Sequence, residues 1–285
     1  MSFKQKIIAY WQLMRFDKPI GILLLLWPTL WGLWLAANGM PPLPILSIFI
    51  AGVVIMRPAG CVINDIADRK FDGHVSRTKL RPLATGAVSL REAIILFLLL
   101  CFCGLLLVLQ LNFLTIVIAG IALLLSSIYP FTKRFIYFPQ LILGLAWYLA
   151  IPMAFAAIQG EVPILGWILY VTVVLWTVIF DTIYAIADRE DDLHIQVKSL
   201  AIFFGRYERF AIAVMQIFFL LLLIYLGFLA QLNSCYFIAC VATLSLMIHQ
   251  QYLIKNLKPE NCIKAFKNNH WIGLVIFIGI FFGIN

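Results

Sequence analysis

All 21 Lys and Arg residues of this chain fall in five places, separated by long apolar stretches. Lys4, Lys6, Arg15 and Lys18 precede the first stretch. Arg57, Arg69, Lys70, Arg77, Lys79, Arg81 and Arg91 surround the connection from the second stretch to the third. Lys133 and Arg134 mark the fourth-to-fifth connection, and Arg189, Lys198, Arg206 and Arg209 the sixth-to-seventh. Lys255, Lys258, Lys264 and Lys267 mark the eighth-to-ninth. The alternate connections, 38–43, 111–113, 159–163 and 230–234, hold neither residue type. A helix crossing a bilayer needs about 20 apolar residues, and cytoplasmic connections collect Lys and Arg. The pattern predicts about nine transmembrane helices, over roughly 19–37, 44–64, 93–111, 113–130, 137–158, 163–186, 208–229, 235–254 and 270–284. It also predicts a cytoplasmic N-terminus and a C-terminus on the other side of the membrane.

Composition supports that reading. The chain is 64% hydrophobic and only 12% charged, a balance that excludes a soluble domain of 285 residues. An all-α, polytopic, single domain over 1–285 is expected, with the lipid bilayer as its surroundings. The net charge of +8 belongs to membrane topology, not to nucleic-acid binding. Six cysteines show no C-x-x-C spacing and are expected to be free thiols. Phe3, Ile7, Trp11 and Met14 repeat at helical spacing, so residues 1–17 are expected to lie at the interface, with no removable signal peptide.

One motif occurs twice. Ile66-Ala67-Asp68-Arg69-x-x-Asp72-x-His74-Val75 matches Ile186-Ala187-Asp188-Arg189-x-x-Asp192-x-His194-Ile195. Each copy begins one of the two longest connections, about 65–92 and 187–207. Asn64, Asp68 and Asp72 are spaced by four, so on a helix they form one stripe of oxygen ligands with Asp65 beside it. Paired carboxylates suit a hard divalent cation, and Mg²⁺ commonly links one or two carboxylates to a substrate's phosphates. The pair of motifs reads as a site for a metal-bound diphosphate. An even number of spans separates the copies, so both enter with the same orientation and can face each other across a central cavity.

Other polar residues fall on the same faces. Arg57 precedes Asn64 by seven positions and Asp68 by eleven; Asp181 stands in the same relation to Asp188 and Asp192. Tyr184 occupies the repeat position of Asn64. An ionisable group inside a span is expensive unless it is paired or lines a wet cavity, which favours functional roles for Arg57 and Asp181. Arg69, Lys70, Arg77, Lys79, Arg81, Arg189 and Lys198 interleave with the acids and suit phosphate oxygens. His74 and His194 lack neighbours at zinc spacing and read as loop residues or supporting donors.

These motifs resemble the UbiA superfamily of intramembrane prenyltransferases. The similarity runs through DKPIG (Asp17–Gly21), WPTLW (Trp27–Trp31), NDIADRKFDGH (Asn64–His74), YPFTKR (Tyr129–Arg134), IPMAFAA (Ile151–Ala157) and DTIYAIADREDD (Asp181–Asp192). The intervening segments are similar to the bacterial branch that prenylates 4-hydroxybenzoate for ubiquinone. The resemblance implies nine helices around a cavity in the cell inner membrane. It implies Mg²⁺ held by Asn64, Asp68 and Asp72 on one side and by Asp188 and Asp192 on the other, gripping a polyprenyl diphosphate. It also implies phosphate contacts from Arg69, Lys79 and Lys198, and an aromatic acceptor placed near Arg134. Asp181 or Asp65 is expected to help remove the ring proton. Two rivals fit less well. A CDP-alcohol phosphotransferase needs its acids in one stretch with Ala-Arg after Asp-Gly, and a cation transporter wants acids nearer mid-membrane than the two motifs.

Overall fold

The computed structural model describes residues 2–70, 72–74, 78–194 and 197–284. Val75, Arg77 and Ile195 lie outside the described residues, as does the side chain of His74. Among the described residues, nine helices are long and apolar enough to cross a membrane.

The chain begins with α1 (Phe3–Leu13), started by a capping box in which the side chains and backbone amides of Ser2 and Gln5 pair reciprocally. Two long spans follow, α2 (Ile20–Ala37) and α3 (Leu43–Asp68). Next come α4 (Leu90–Val108), opened by a Ser89–Glu92 capping box, and α5 (Phe113–Thr132), capped by Asn112. The fifth span is broken into α6 (Pro139–Trp147) and α7 (Ala150–Gln159). The break sits four residues before Pro152, whose ring would collide with the Tyr148 carbonyl of a continuous helix. After α8 (Ile164–His194) and the short α9 (Leu200–Phe204) come α10 (Glu208–Leu229), α11 (Ser234–Leu253) and α12 (Pro259–Gly283).

Three boundaries differ from the sequence reading in a way that matters. At 1.5 Å per residue, α8 is about 46 Å long and α3 about 39 Å, against an apolar bilayer core of about 30 Å. The second acidic motif is therefore helical through His194, where a loop from 187 was expected. The first motif is helical only to Asp68, and Asp72 sits in a separate one-turn helix, Asp72–His74. The single helical stripe expected for Asn64, Asp68 and Asp72 thus stops at Asp68. Helix α12 begins eleven residues earlier than the apolar run, carrying Lys264 and Lys267 within it.

In lipid, helices associate through close packing and internal hydrogen bonds, because the tails are as apolar as the side chains. The centre shows both. Trp31 and Trp176 stack with centroids 5.6 Å apart, and Phe219 continues the stack at 6.2 Å. The Trp31 indole donates to the Gly273 carbonyl and the Trp176 indole to Asn269 Oδ1, each at 3.0 Å. These contacts join α2, α8, α10 and α12. Helix α4, by contrast, buries only Ala93 and shows most of its surface outward. All six cysteines are free, as expected.

Candidate active site at one end of the bundle

The last turns of α3 meet the segment before α2, the loop after Asp72 and the connection after α5 at one end of the bundle. Asp68 is 3% exposed. Its Oδ2 accepts from Asn64 Nδ2 at 3.2 Å and also from Lys133 Nζ, while its Oδ1 is buried with no hydrogen-bond partner. Asp72 is gripped by Arg81, whose Nη1 lies 2.9 Å from both carboxylate oxygens. Burial pushes the Asp72 carboxyl above its ordinary range and the Arg81 charge works against that shift. Asp65 accepts from Arg15 Nη2 at 2.8 and 2.9 Å, and Arg81 Nη1 approaches its Oδ1 at 3.1 Å.

Two cavities adjoin here. One, of about 440 Å³, is polar: Arg15, Asp17, Lys18, Asn64, Asp65, Arg81 and Asp181 line it with Tyr129, Phe180 and Tyr184. The other, of about 330 Å³, is lined by apolar and small residues of α3, α4 and α5, among them Phe49, Val53, Met56, Gly104, Leu105 and Leu123. Arg57, Gly60 and Trp147 belong to both walls. The Arg57 guanidinium carbon lies 4.9 Å from the Trp147 ring centroid, and its Nη1 donates to Cys61 Sγ. Its Nε is buried without a partner. Gly21 makes the room: a Cβ there would stand 2.2 Å from Arg57 Nη2. The Tyr184 ring packs 4.8 Å from Phe266.

The structure thus brings Arg57, Asn64, Asp65, Asp181 and Tyr184 to one cavity, with Asp68 and Asp72 directly behind Asn64 and Arg81. Asp188 and Asp192 occupy the last turns of α8, half-buried and outside the cavity lining. Among the described residues, no three acidic, His or Cys side chains already converge as a cation cage. Oxygen donors throughout and the orphaned Asp68 Oδ1 nevertheless fit a hard divalent cation.

The basic residues expected at phosphate are arranged differently. Arg69 donates to the Ile66 carbonyl at the surface, Lys79 is exposed, and Lys198 donates to the Phe135 carbonyl at 3.0 Å. Arg134, expected near the aromatic acceptor, donates to the Ala67 carbonyl at 2.8 Å, and like the other three it does not line the cavity. Arg189 pairs instead with the buried Glu208 at 2.9 Å. His194 Nδ1 lies 2.6 Å from the Glu190 carbonyl. Sequence reasoning passed over Lys133, Tyr129 and Arg15. Tyr129 and Lys133 stand four apart at the end of α5 and fall within the YPFTKR stretch, whereas Arg15 offered no signal beyond its charge.

A polar pocket sharing a wall with an apolar one, inside a bundle of membrane-spanning helices, has the make-up to suit an amphiphilic anion. The comparisons agree. The model of the UbiA prenyltransferase family matches residues 25–278, and the chain belongs to that family. It is 51% identical over 280 residues to a Coxiella burnetii protein named 4-hydroxybenzoate octaprenyltransferase, covering 98% of each chain. It is likewise 51% identical over 277 residues to the Vibrio vulnificus protein of that name, covering 97% of this chain and 98% of the other. The solved structure of a UbiA homolog from Aeropyrum pernix K1 superposes with a TM-score of 0.80 at 27% identity, covering 91% of this chain and 96% of that one. A UbiA homolog from Archaeoglobus fulgidus, solved bound to GPP and Mg²⁺, shares the fold with a TM-score of 0.72 at 20% identity, covering 96% of this chain and 99% of that one.

Proposed function

We propose that this protein transfers the prenyl group of a polyprenyl diphosphate to the ring of 4-hydroxybenzoate, ortho to the hydroxyl, as a step of ubiquinone biosynthesis. The observation that carries the reading is the junction of the two cavities at Arg57 and Trp147, in a chain half identical to 4-hydroxybenzoate octaprenyltransferases over nearly its full length. The diphosphate end belongs in the polar cavity and the isoprenoid in the apolar one. Leu105 and Leu123, in the apolar wall, are 47% and 39% exposed, which gives a long tail a way out to the bilayer between α4 and α5.

In the reaction the donor's C–O bond breaks, a C–C bond to the ring forms, diphosphate leaves, and the ring gives up one proton. Asn64, Asp68 and Asp72, with Asp188 and Asp192 opposite, would hold Mg²⁺. Bound Mg²⁺ neutralises charge on the diphosphate and so makes it a better leaving group. Lys133 and Arg81, which neutralise Asp68 and Asp72 here, turn to phosphate oxygens when the donor enters. Arg57 grips the acceptor's carboxylate in two parallel hydrogen bonds, a role its orphaned Nε and cavity position suit better than the outlying Arg134. Tyr129, Trp147, Phe180 and Tyr184 surround the allylic centre, and an aromatic face stabilises a desolvated cation by about 1–2 kcal/mol. Asp181 takes the ring proton. Asp65, engaged by two arginines, suits that role less well than Asp181.

The acidic end faces the cytoplasm and the C-terminus the periplasm, across the cell inner membrane. The reading is tested with purified protein, 4-hydroxybenzoate and octaprenyl diphosphate, with Mg²⁺ or a chelator. Metal-dependent 3-octaprenyl-4-hydroxybenzoate is expected. Prenylation of a different aromatic, with 4-hydroxybenzoate untouched, would overturn the acceptor assignment.

A further inference from the structure

Asp65 is 1% exposed, yet both its oxygens are engaged, and by arginines from opposite ends of the sequence around it. Arg15 reaches it from the segment between α1 and α2; Arg81 reaches it from the loop after Asp72. The same Arg81 nitrogen lies 3.1 Å from Asp65 and 2.9 Å from Asp72, so it bridges the two acids. Arg15 adopts a φ of +60° as the left-handed residue that closes α1, with its own amide bonded to the Gln12 carbonyl and the Phe16 amide to the Trp11 carbonyl, so its side chain leaves the helix end towards Asp65.

What Arg15 holds in place is α1. This helix buries Ala9 and Leu13 against Val62 of α3 and Ala93 of α4, and exposes Phe3, Ile7 and Trp11 on its far side. Its outer end is fixed by Lys6 and Tyr10, which contact Glu92 at 2.8 and 3.1 Å. Its inner end leads through Arg15 into Asp17 and Lys18, which line the polar cavity. Removing Arg15 from Asp65 would leave the cavity-side end of the helix held by the apolar packing of Leu13 alone, since its polar attachments, Lys6 and Tyr10, lie further back.

We propose that Asp65 is a positioning residue, neither a metal ligand nor a base: it seats α1 beside the cavity through Arg15 and keeps Arg81 in register with Asp72. Its kinetic consequences rest on the function proposed above; its structural consequence does not. Asp65→Asn keeps the shape and removes the charge, and Arg15→Gln removes the other half of the pair. In full-length protein in lipid nanodiscs, without substrate, hydrogen exchange of residues 3–13 should speed up by roughly tenfold in both variants, as expected for losing a charge-assisted contact. Exchange in α8 should not change. Arg15→Lys should fall between Arg15→Gln and the parent, because Lys keeps the charge but not the two-bond grip.

With octaprenyl diphosphate, 4-hydroxybenzoate and Mg²⁺, Asp65→Asn should raise the donor KM by roughly tenfold while the acceptor KM moves less than about twofold. In the Asp65→Asn background, Arg15→Gln should add almost nothing. Unchanged α1 exchange in both single variants would overturn the proposal, as would independent, multiplying effects of the two substitutions. A raised Mg²⁺ requirement in Asp65→Asn with normal α1 exchange would make Asp65 a metal ligand instead. Should the parent itself fail to prenylate 4-hydroxybenzoate, the proposed function falls, while the exchange comparison still decides the role of Asp65.

Discussion

Arg57 is the residue on which the proposed chemistry turns, because it is half-buried, lies on the Trp147 ring and belongs to both cavities. Losing one charge-assisted contact costs about 1.5–3 kcal/mol, so Arg57→Ala should lower kcat/KM for 4-hydroxybenzoate by roughly ten- to over a hundredfold. The donor KM should change far less, and Arg57→Lys should not restore the loss, since an ammonium cannot match a planar carboxylate. Arg134→Ala should affect both substrates weakly, because Arg134 supports the end of α3 from outside the cavity. Steady-state kinetics varying each substrate in turn decide between them. Gly21→Ala offers a finer probe: its Cβ would collide with the guanidinium and shift it, giving a milder acceptor defect with the Arg still present. Lys133→Ala should act in the opposite sense, raising the donor KM and sparing the acceptor. Arg57 was legible in the sequence because a charge inside an apolar span requires a reason. Lys133 was not, because a basic residue just past an apolar span is already accounted for by the ordinary flanking charge of membrane helices.

Elements carry the site through their lengths. Helices α3 and α8 overrun the apolar core, which places Asn64, Asp68, Asp188 and Asp192 at their ends rather than in loops. The sequence showed the apolar runs but not the overrun, since polar residues end hydropathy without ending a helix. The Pro152 break was hidden for the converse reason: both halves of the fifth span are apolar, and only backbone geometry separates them. The Arg189–Glu208 pair latches α8 to α10, a contact hidden in the sequence because Glu208 is nineteen residues away in the chain. Arg189→Ala leaves the fully buried Glu208 carboxylate without its counter-charge. A loss of about 1–3 kcal/mol follows, discounted because Arg189 is a third exposed. Thermal inactivation in nanodiscs should therefore quicken, with both KM values unchanged in protein that remains folded. Glu208→Gln, which removes the charge together with the need for its partner, should be milder.

At the scale of the molecule, all the connections bearing Lys and Arg near the acidic motifs meet one another in space. Arg15 reaches Asp65, Lys133 reaches Asp68, and Lys198 reaches the Phe135 carbonyl. The opposite end is closed by neutral contacts such as Gln159 to the Ala36 carbonyl and Asn233 to the Phe282 carbonyl. That the charged connections share one end of the bundle was therefore readable from charge alone, whereas the pairing of a polar with an apolar cavity depended on how the helices pack, and α4 gives little sign of that in its composition. With the six native cysteines replaced by Ser and cysteines introduced singly at the exposed positions Lys79 and Glu161, an impermeant maleimide added to intact cells with a permeable outer membrane should label only the second. Labelling at Lys79 would reverse the orientation. In the proposed reaction the two acidic motifs act as one metal-dependent unit for prenyl transfer to 4-hydroxybenzoate. The decisive measurement is 3-octaprenyl-4-hydroxybenzoate formation by Asp68→Ala, Asp188→Ala and the double variant across a Mg²⁺ titration. Each single variant should abolish turnover in folded protein, and the double should scarcely be worse than either. Near-parental turnover in either single variant, or two partial losses that simply multiply, would contradict the account.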